Sequence, residues 1–228
     1  MQQLAPNLWL VRYPLRLLGL EIGRNVTVVR LTSGELVIHS SAPFTESDVQ
    51  EIAALGEPRW LLDVTRFHDS YARAGRAAFP RISYLAPENF PARAKLQMAA
   101  LEPAPQEWGR ELQLQRIDGM PGVQEHAVFH APSRTLVVGD LLFHFGPCAS
   151  WWTKFIVHSV LRLPHGCGMS RFFRLMIRDR TAFRNSLERI MQWDFDRVVV
   201  GHGDVIETGG KPRLREVLLK FGLLRDGD

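Results

Sequence analysis

Apolar residues in the first third of the chain come in short β-branched runs separated by turn residues, not in long helical stripes. Residues 8–12, 26–31 and 36–39 have this character, and Ser33-Gly34 supplies a turn between the last two, so the three predict an antiparallel meander. Thr45 sits three residues before Asp48, a helix-capping spacing, and Val49, Ile52, Ala53 and Leu55 follow at helical intervals until Gly56. A strand is expected over 59–65, a short helix from Ala72 to Ala78, and a strand over 82–86. Pro87, Pro91, Pro103 and Pro105 then break the pattern, which predicts a long loop to Trp108 with one helical turn.

In the second half, 112–117 and 125–130 read as strands. Ala131-Pro132-Ser133-Arg134 turns the chain back into a strand over 135–139, and adjacent hairpins of this kind predict a second sheet. On strand alternation His126 and His130 share a face and read as packing residues, with Glu125 on the other side. Residues 150–192 are patterned for helix with a break at Pro164-His165-Gly166. A last strand covers 197–200, and a closing helix begins near Pro212 with Leu214, Val217, Leu218 and Phe221 as its buried stripe. Helices interleaved with hairpins call for stacked sheets with helices outside.

Three of these strands deliver chemistry at their carboxyl ends. Thr135-Leu136-Val137-Val138-Gly139 leads to Asp140, and Arg197-Val198-Val199-Val200-Gly201 leads to His202. Trp60-Leu61-Leu62 leads to Asp63 and on to Arg66-Phe67-His68-Asp69. Acids and imidazoles at several strand ends predict one shared pocket, and glycines on both sides of His202 allow a sharp turn and close backbone approach there.

The stretches Thr135–Phe143 and Val199–Asp204, in this layout, resemble those of the metallo-β-lactamase fold superfamily. Val26–Leu31, Ile38-His39-Ser40 and Glu125–Leu136 resemble a subgroup of it that has no established reaction and a degenerate metal motif. The resemblance implies an α/β (α+β) four-layer αβ/βα sandwich of two mixed β-sheets flanked by helices. It implies one domain over 1–228 with a helical insertion or lid over 145–192, and metals held at one edge between the sheets.

Active hydrolases of that superfamily carry His-x-His-x-Asp-His after the strand expected at 59–65. Here Arg66 replaces the first histidine, His68 is retained, Ser70 replaces the aspartate and Tyr71 the last histidine. A further expected histidine falls near Met120-Pro121, and His39 stands where an acid usually ends the early strand. The resemblance leaves His68, Asp140 and His202 as metal ligands and catalytic groups, with His39 as a fourth ligand or a partner of one. Three protein ligands and a water are enough for one catalytic zinc. Iron and manganese are the other candidate metals. A dinuclear centre is not expected, because ligands are too few and Arg66 brings a permanent charge. The same guanidinium would bind an anionic group of a small-molecule substrate.

Two further readings stay open. The histidines, Asp140 and Arg66 would form a relic polar cluster in a noncatalytic scaffold without metal. Alternatively, the aromatic and basic residues of 150–178, including Trp151 and Trp152, would serve as a lid, a homo-oligomer contact, or a membrane-surface or nucleic-acid-binding patch.

Composition narrows this only slightly. A 228-residue chain that is 46% hydrophobic has material for one sizeable core. The net charge of +4 contains no long run of like charge, so nucleic-acid binding is not signalled. The two cysteines, Cys148 and Cys167, form no Cys-x-x-Cys pair and read as reduced thiols of a cytoplasmic protein. No secretion signal or membrane span is expected from the sequence.

Overall fold

The computed structural model describes residues 1–17, 19–91, 93–146 and 166–224. Seven strands form the first sheet in the order β1 (Gln2–Ala5), β2 (Leu8–Tyr13), β3 (Arg24–Arg30), β4 (Glu35–His39), β5 (Glu57–Leu62), β6 (Ser83–Ala86) and β7 (Ala99–Ala100). Pairing is antiparallel from β1 to β4 and parallel from β4 to β7, which makes the sheet mixed. The second sheet has the order β8 (Leu112–Arg116), β9 (His126–His130), β10 (Thr135–Val137) and β11 (Arg197–Val199), and only β10 and β11 run parallel.

Strand alternation builds the layers. On the first sheet Val29, Val37, Trp60 and Leu62 face the second sheet, where Val128, Val137 and Val199 meet them. Their neighbours Val28, Leu36, Ile38 and Leu61 face outward under helices α1 (Glu46–Ala53) and α2 (Ala72–Ala78). The outer face of the second sheet sends Ala127, Phe129, Leu136, Val198 and Val200 against α3 (Arg171–Leu175), α4 (Arg180–Gln192) and α5 (Gly210–Lys220). Each fully buried Leu, Ile or Val contributes roughly 1.5–3 kcal/mol. The result is a helix–sheet–sheet–helix sandwich, as the sequence pattern required.

Local chemistry explains several boundaries. Thr45 caps α1 by accepting from the Asp48 N–H, and the Asp48 carboxylate accepts from the Thr45 N–H in return. α5 starts at Gly210, ahead of Pro212, because the Asp196 carboxylate and carbonyl take the Gly209 and Gly210 N–H groups. β10 stops at Val137, short of the expected 139, because the next residues turn toward the Glu125 carboxylate. The long Pro-rich segment holds more order than expected, with a helical turn at Arg93–Leu96, strand β7 and a 3-10 turn at Gln106–Trp108. β1 and a small ribbon pairing Arg16–Leu17 with Leu20–Glu21 were not expected. The helical reading of 150–165, with Trp151 and Trp152, lies outside the described residues, as does Cys148. So does most of the segment assigned to lid or oligomer contacts. Among the described residues no helix is long and apolar enough to cross a membrane.

Candidate functional site

The parallel strands β4 and β5, and β10 and β11, all end at one edge of the sandwich. From that edge three side chains converge. One ligand atom from each of His68, Asp140 and His202 lies within 4.8 Å of the others, and all three residues are buried. Asp140 Oδ1 is 3.7 Å from His68 Nε2 and 3.4 Å from His202 Nε2.

The other nitrogen of each ring fixes its tautomer. His202 Nδ1 lies 2.6 Å from the Gly23 carbonyl oxygen, which can only accept. Nδ1 therefore carries a proton, and in that tautomer the lone pair of Nε2 is turned toward Asp140. His68 Nδ1 is 3.4 Å from Ser40 Oγ. The Ser40 hydroxyl donates to Asp63 Oδ1 at 3.1 Å and accepts from Arg24 Nη1 at 2.9 Å, so it accepts from His68 as well. His68 Nε2 is likewise left with a lone pair and no hydrogen-bond partner. Two imidazole lone pairs and a carboxylate facing one point make a set of donors to a cation, and an orphaned buried nitrogen is what an absent ligand leaves behind.

The surroundings favour the forms that ligate. Burial, reinforced by the Arg24 charge, pushes His68 down to about 3, which keeps the ring neutral. The loop that carries Asp140 is anchored by Glu125, whose carboxylate is fully buried. Oε1 accepts from the Gly139 and Leu141 N–H groups at 3.1 and 2.8 Å, and Oε2 accepts from the Asp140 N–H at 2.9 Å. Burial and the Asp140 charge push Glu125 up to about 8, against the pull of those three amides.

The turn bearing His202 is held just as closely. Asn25 gives its backbone N–H to the Gly201 carbonyl, and its side-chain amide donates to the Val200 and Gly203 carbonyls. A Cβ on Gly201 would sit 2.6 Å from the Gly139 carbonyl oxygen and 3.0 Å from His68 Cε1, and Gly203 adopts φ +98. Both glycines are required by contact or conformation, as their position around His202 suggested.

The remaining sequence candidates lie elsewhere. His39 does not join the cluster; both its ring nitrogens are buried without partners, and burial with the Arg24 charge lowers it to about 4. Arg66 is half-buried and gives Nη1 to the Gly122 carbonyl at 3.3 Å, so it does not neutralise Asp140. Asp69 is exposed. His126 faces Glu102 at 3.2 Å and His130 faces Ser133 at 2.7 Å, both away from the three-residue cluster. Sequence reasoning passed over Gly23, Arg24, Ser40 and the anchoring role of Glu125. A Gly-Arg-Asn opening to an otherwise apolar strand was the one signal for the first two.

The backbone is similar throughout to DIM-1 metallo-β-lactamase from a crystal exposed to ceftazidime, with TM-score 0.62, 15% identity and 96% of each chain covered. The chain has the metallo-β-lactamase fold. A metallo-β-lactamase from Erythrobacter litoralis with β-mercaptoethanol in its active site gives TM-score 0.62 at 15% identity, over 96% of this chain and 95% of that one. FIM-1 from Pseudomonas aeruginosa, in its mono-zinc form, gives TM-score 0.58 at 12% identity, over 96% and 94%. No family model matches the chain, and no curated protein matches it. The metallo-β-lactamase fold therefore rests on backbone geometry rather than on sequence identity.

Proposed function

We propose that the protein is a metal-dependent hydrolase that works with one divalent cation, zinc, iron or manganese, held by His68, Asp140 and His202. The observation that carries this reading is the convergence of three lone-pair-bearing atoms, each ring fixed from behind by a partner on Nδ1. When bound, such a cation polarises a carbonyl or phosphoryl oxygen and brings the pKa of water toward neutrality. The chain's own residues orient that chemistry. Gly23 and Ser40 aim the two rings, and Glu125 holds the Asp140 loop. Arg66, at the edge, would meet a carboxylate or phosphate on a small-molecule substrate through its remaining N–H groups. One protein of this fold, FIM-1, is known in a mono-zinc form.

The test is metal content. Protein purified with zinc, iron and manganese present is expected to retain close to one metal per chain. The double variant Asp140→Ala, His202→Ala is expected to retain none. Equal and negligible metal in both proteins would remove the basis for hydrolysis and leave the second reading, a noncatalytic scaffold. That reading draws its support from the convergence of only one group of three metal-capable side chains among the described residues.

A further inference from the structure

Arg24 opens β3 and is 1% exposed. A buried guanidinium cannot shed its proton and is costly unless an acid compensates it. Among the described residues no carboxylate lies within ion-pairing distance of Arg24. Its hydrogen bond goes instead to the neutral hydroxyl of Ser40, at 2.9 Å. The acids that offset its charge, Asp63 and Asp140, act at longer range. Asp63 is committed to the Tyr84 and Ser40 hydroxyls and to the Ser41 N–H, while Asp140 faces the two histidines.

Arg24 is thus one hydroxyl oxygen away from His68, since Ser40 Oγ bridges Nη1 and the ring at 2.9 and 3.4 Å. Its neighbours in sequence close the opposite side. The Gly23 carbonyl takes the His202 Nδ1 proton, and Asn25 holds the turn on either side of His202. Three consecutive residues therefore support the two rings, and the middle one places a permanent positive charge behind His68, across the Ser40 hydroxyl.

We propose that Arg24 is an internal counter-cation of the His68–Asp140–His202 site. Its charge occupies the place a second metal would take in the electrostatic balance, and it weakens the hold on a first. The inference rests on the reading of those three residues as cation ligands. A dication held by His68 and a guanidinium behind the same ring, with only the Ser40 hydroxyl between, repel each other even at an effective dielectric of about 20. Solvent, Asp63 and Asp140 reduce that repulsion, and on the order of tenfold in affinity is the effect expected to survive.

The experiment is zinc titration by calorimetry, with stoichiometry from elemental analysis, on the full chain and three variants whose folding is checked by circular dichroism. Arg24→Met keeps the stem and removes the charge, and is expected to bind zinc about tenfold more tightly than wild type. Arg24→Lys keeps the charge and is expected to stay within about threefold of wild type. Arg24→Gln also removes the charge but keeps a donor for the Ser40 hydroxyl, and is expected to bind zinc about tenfold more tightly, so this arm decides the matter if Arg24→Met does not fold. Unchanged or weaker affinity in a folded Arg24→Met protein overturns the proposal, as does unchanged or weaker affinity in Arg24→Gln when the first variant is lost. The metal reading fails separately. If wild type binds no zinc and Arg24→Met binds one, the hydrolase reading falls and the counter-cation stands. If no protein in the series binds zinc, both fall.

Discussion

His202 Nδ1 rests 2.6 Å from the Gly23 carbonyl oxygen, across 179 positions of sequence. That contact leaves Nε2 aimed at Asp140 and makes His202 a donor of electron pairs rather than of protons. His202→Ala is expected to lower metal retention from near one per chain to near zero while the sandwich stays folded. Elemental analysis beside circular dichroism checks this, and a variant that holds metal as wild type does would remove His202 from the ligand set.

Glu125 ties three consecutive amides. In Glu125→Gln one carboxylate oxygen becomes an NH₂ group, which cannot accept from the amide it faces. The expected cost is about 1–3 kcal/mol of stability, the penalty of a buried unsatisfied donor. Loosening of the Asp140 loop is expected to weaken metal binding by roughly 10- to 100-fold. Urea unfolding and zinc titration measure the two effects, and a variant matching wild type in both would show the anchor to be dispensable.

Gly201→Ala forces a methyl to within 2.6 Å of the Gly139 carbonyl and against His68. One neighbour, His68, belongs to the cluster and the other, Gly139, precedes Asp140, so relief requires the β11 turn to separate from the Asp140 loop. Metal retention is expected to fall together with a loss of roughly 1–3 kcal/mol in stability. An alanine variant with wild-type metal content and melting temperature contradicts this.

Acid stability follows from His39, lowered to about 4. An unfolded histidine takes up its proton near pH 6.5, whereas folded His39 resists until about 4, so the unfolded chain binds more protons in between. Stability attributable to His39 therefore falls as pH drops from about 6.5 to 4, by about 3 kcal/mol in all, and levels off below. Urea midpoints at pH 7, 6 and 5 should decline more gently in His39→Leu than in wild type; parallel slopes would argue against the assignment.

Thr45→Ala removes one half of a reciprocal cap on α1. A loss of about 1 kcal/mol is expected, with no change in metal content, because α1 packs on the face of the first sheet away from the second. Loss of metal in this variant would mean that the helix and the site are coupled.

The parts of the molecule that repeat a period were readable before folding. Val28 and Val29, or Leu61 and Leu62, alternate between two cores because successive strand residues point to opposite faces. The Thr45–Asp48 spacing announced a helix start. Asp140 and His202 were readable because each ends an apolar run at a glycine, and His68 because a motif position survived. The residues that orient them were not, since Gly23, Ser40 and Glu125 act through tertiary hydrogen bonds with no sequence period. Arg66 illustrates the converse. Its motif position suggested a place beside Asp140, yet its side chain satisfies the Gly122 carbonyl, and the buried cation behind the ligands comes from Arg24.

The bonds from Asn25 to Val200, Gly201 and Gly203 join β3 to the turn that follows β11. Contacts of such long separation close late in folding, because the loop entropy must be lost before they form. A nascent polypeptide whose residues 200–203 are still inside the ribosome has neither His202 nor the partner that Asn25 grips. On the proposed reading, ligand capture therefore has to wait until residues 200–203 have emerged and docked on Asn25.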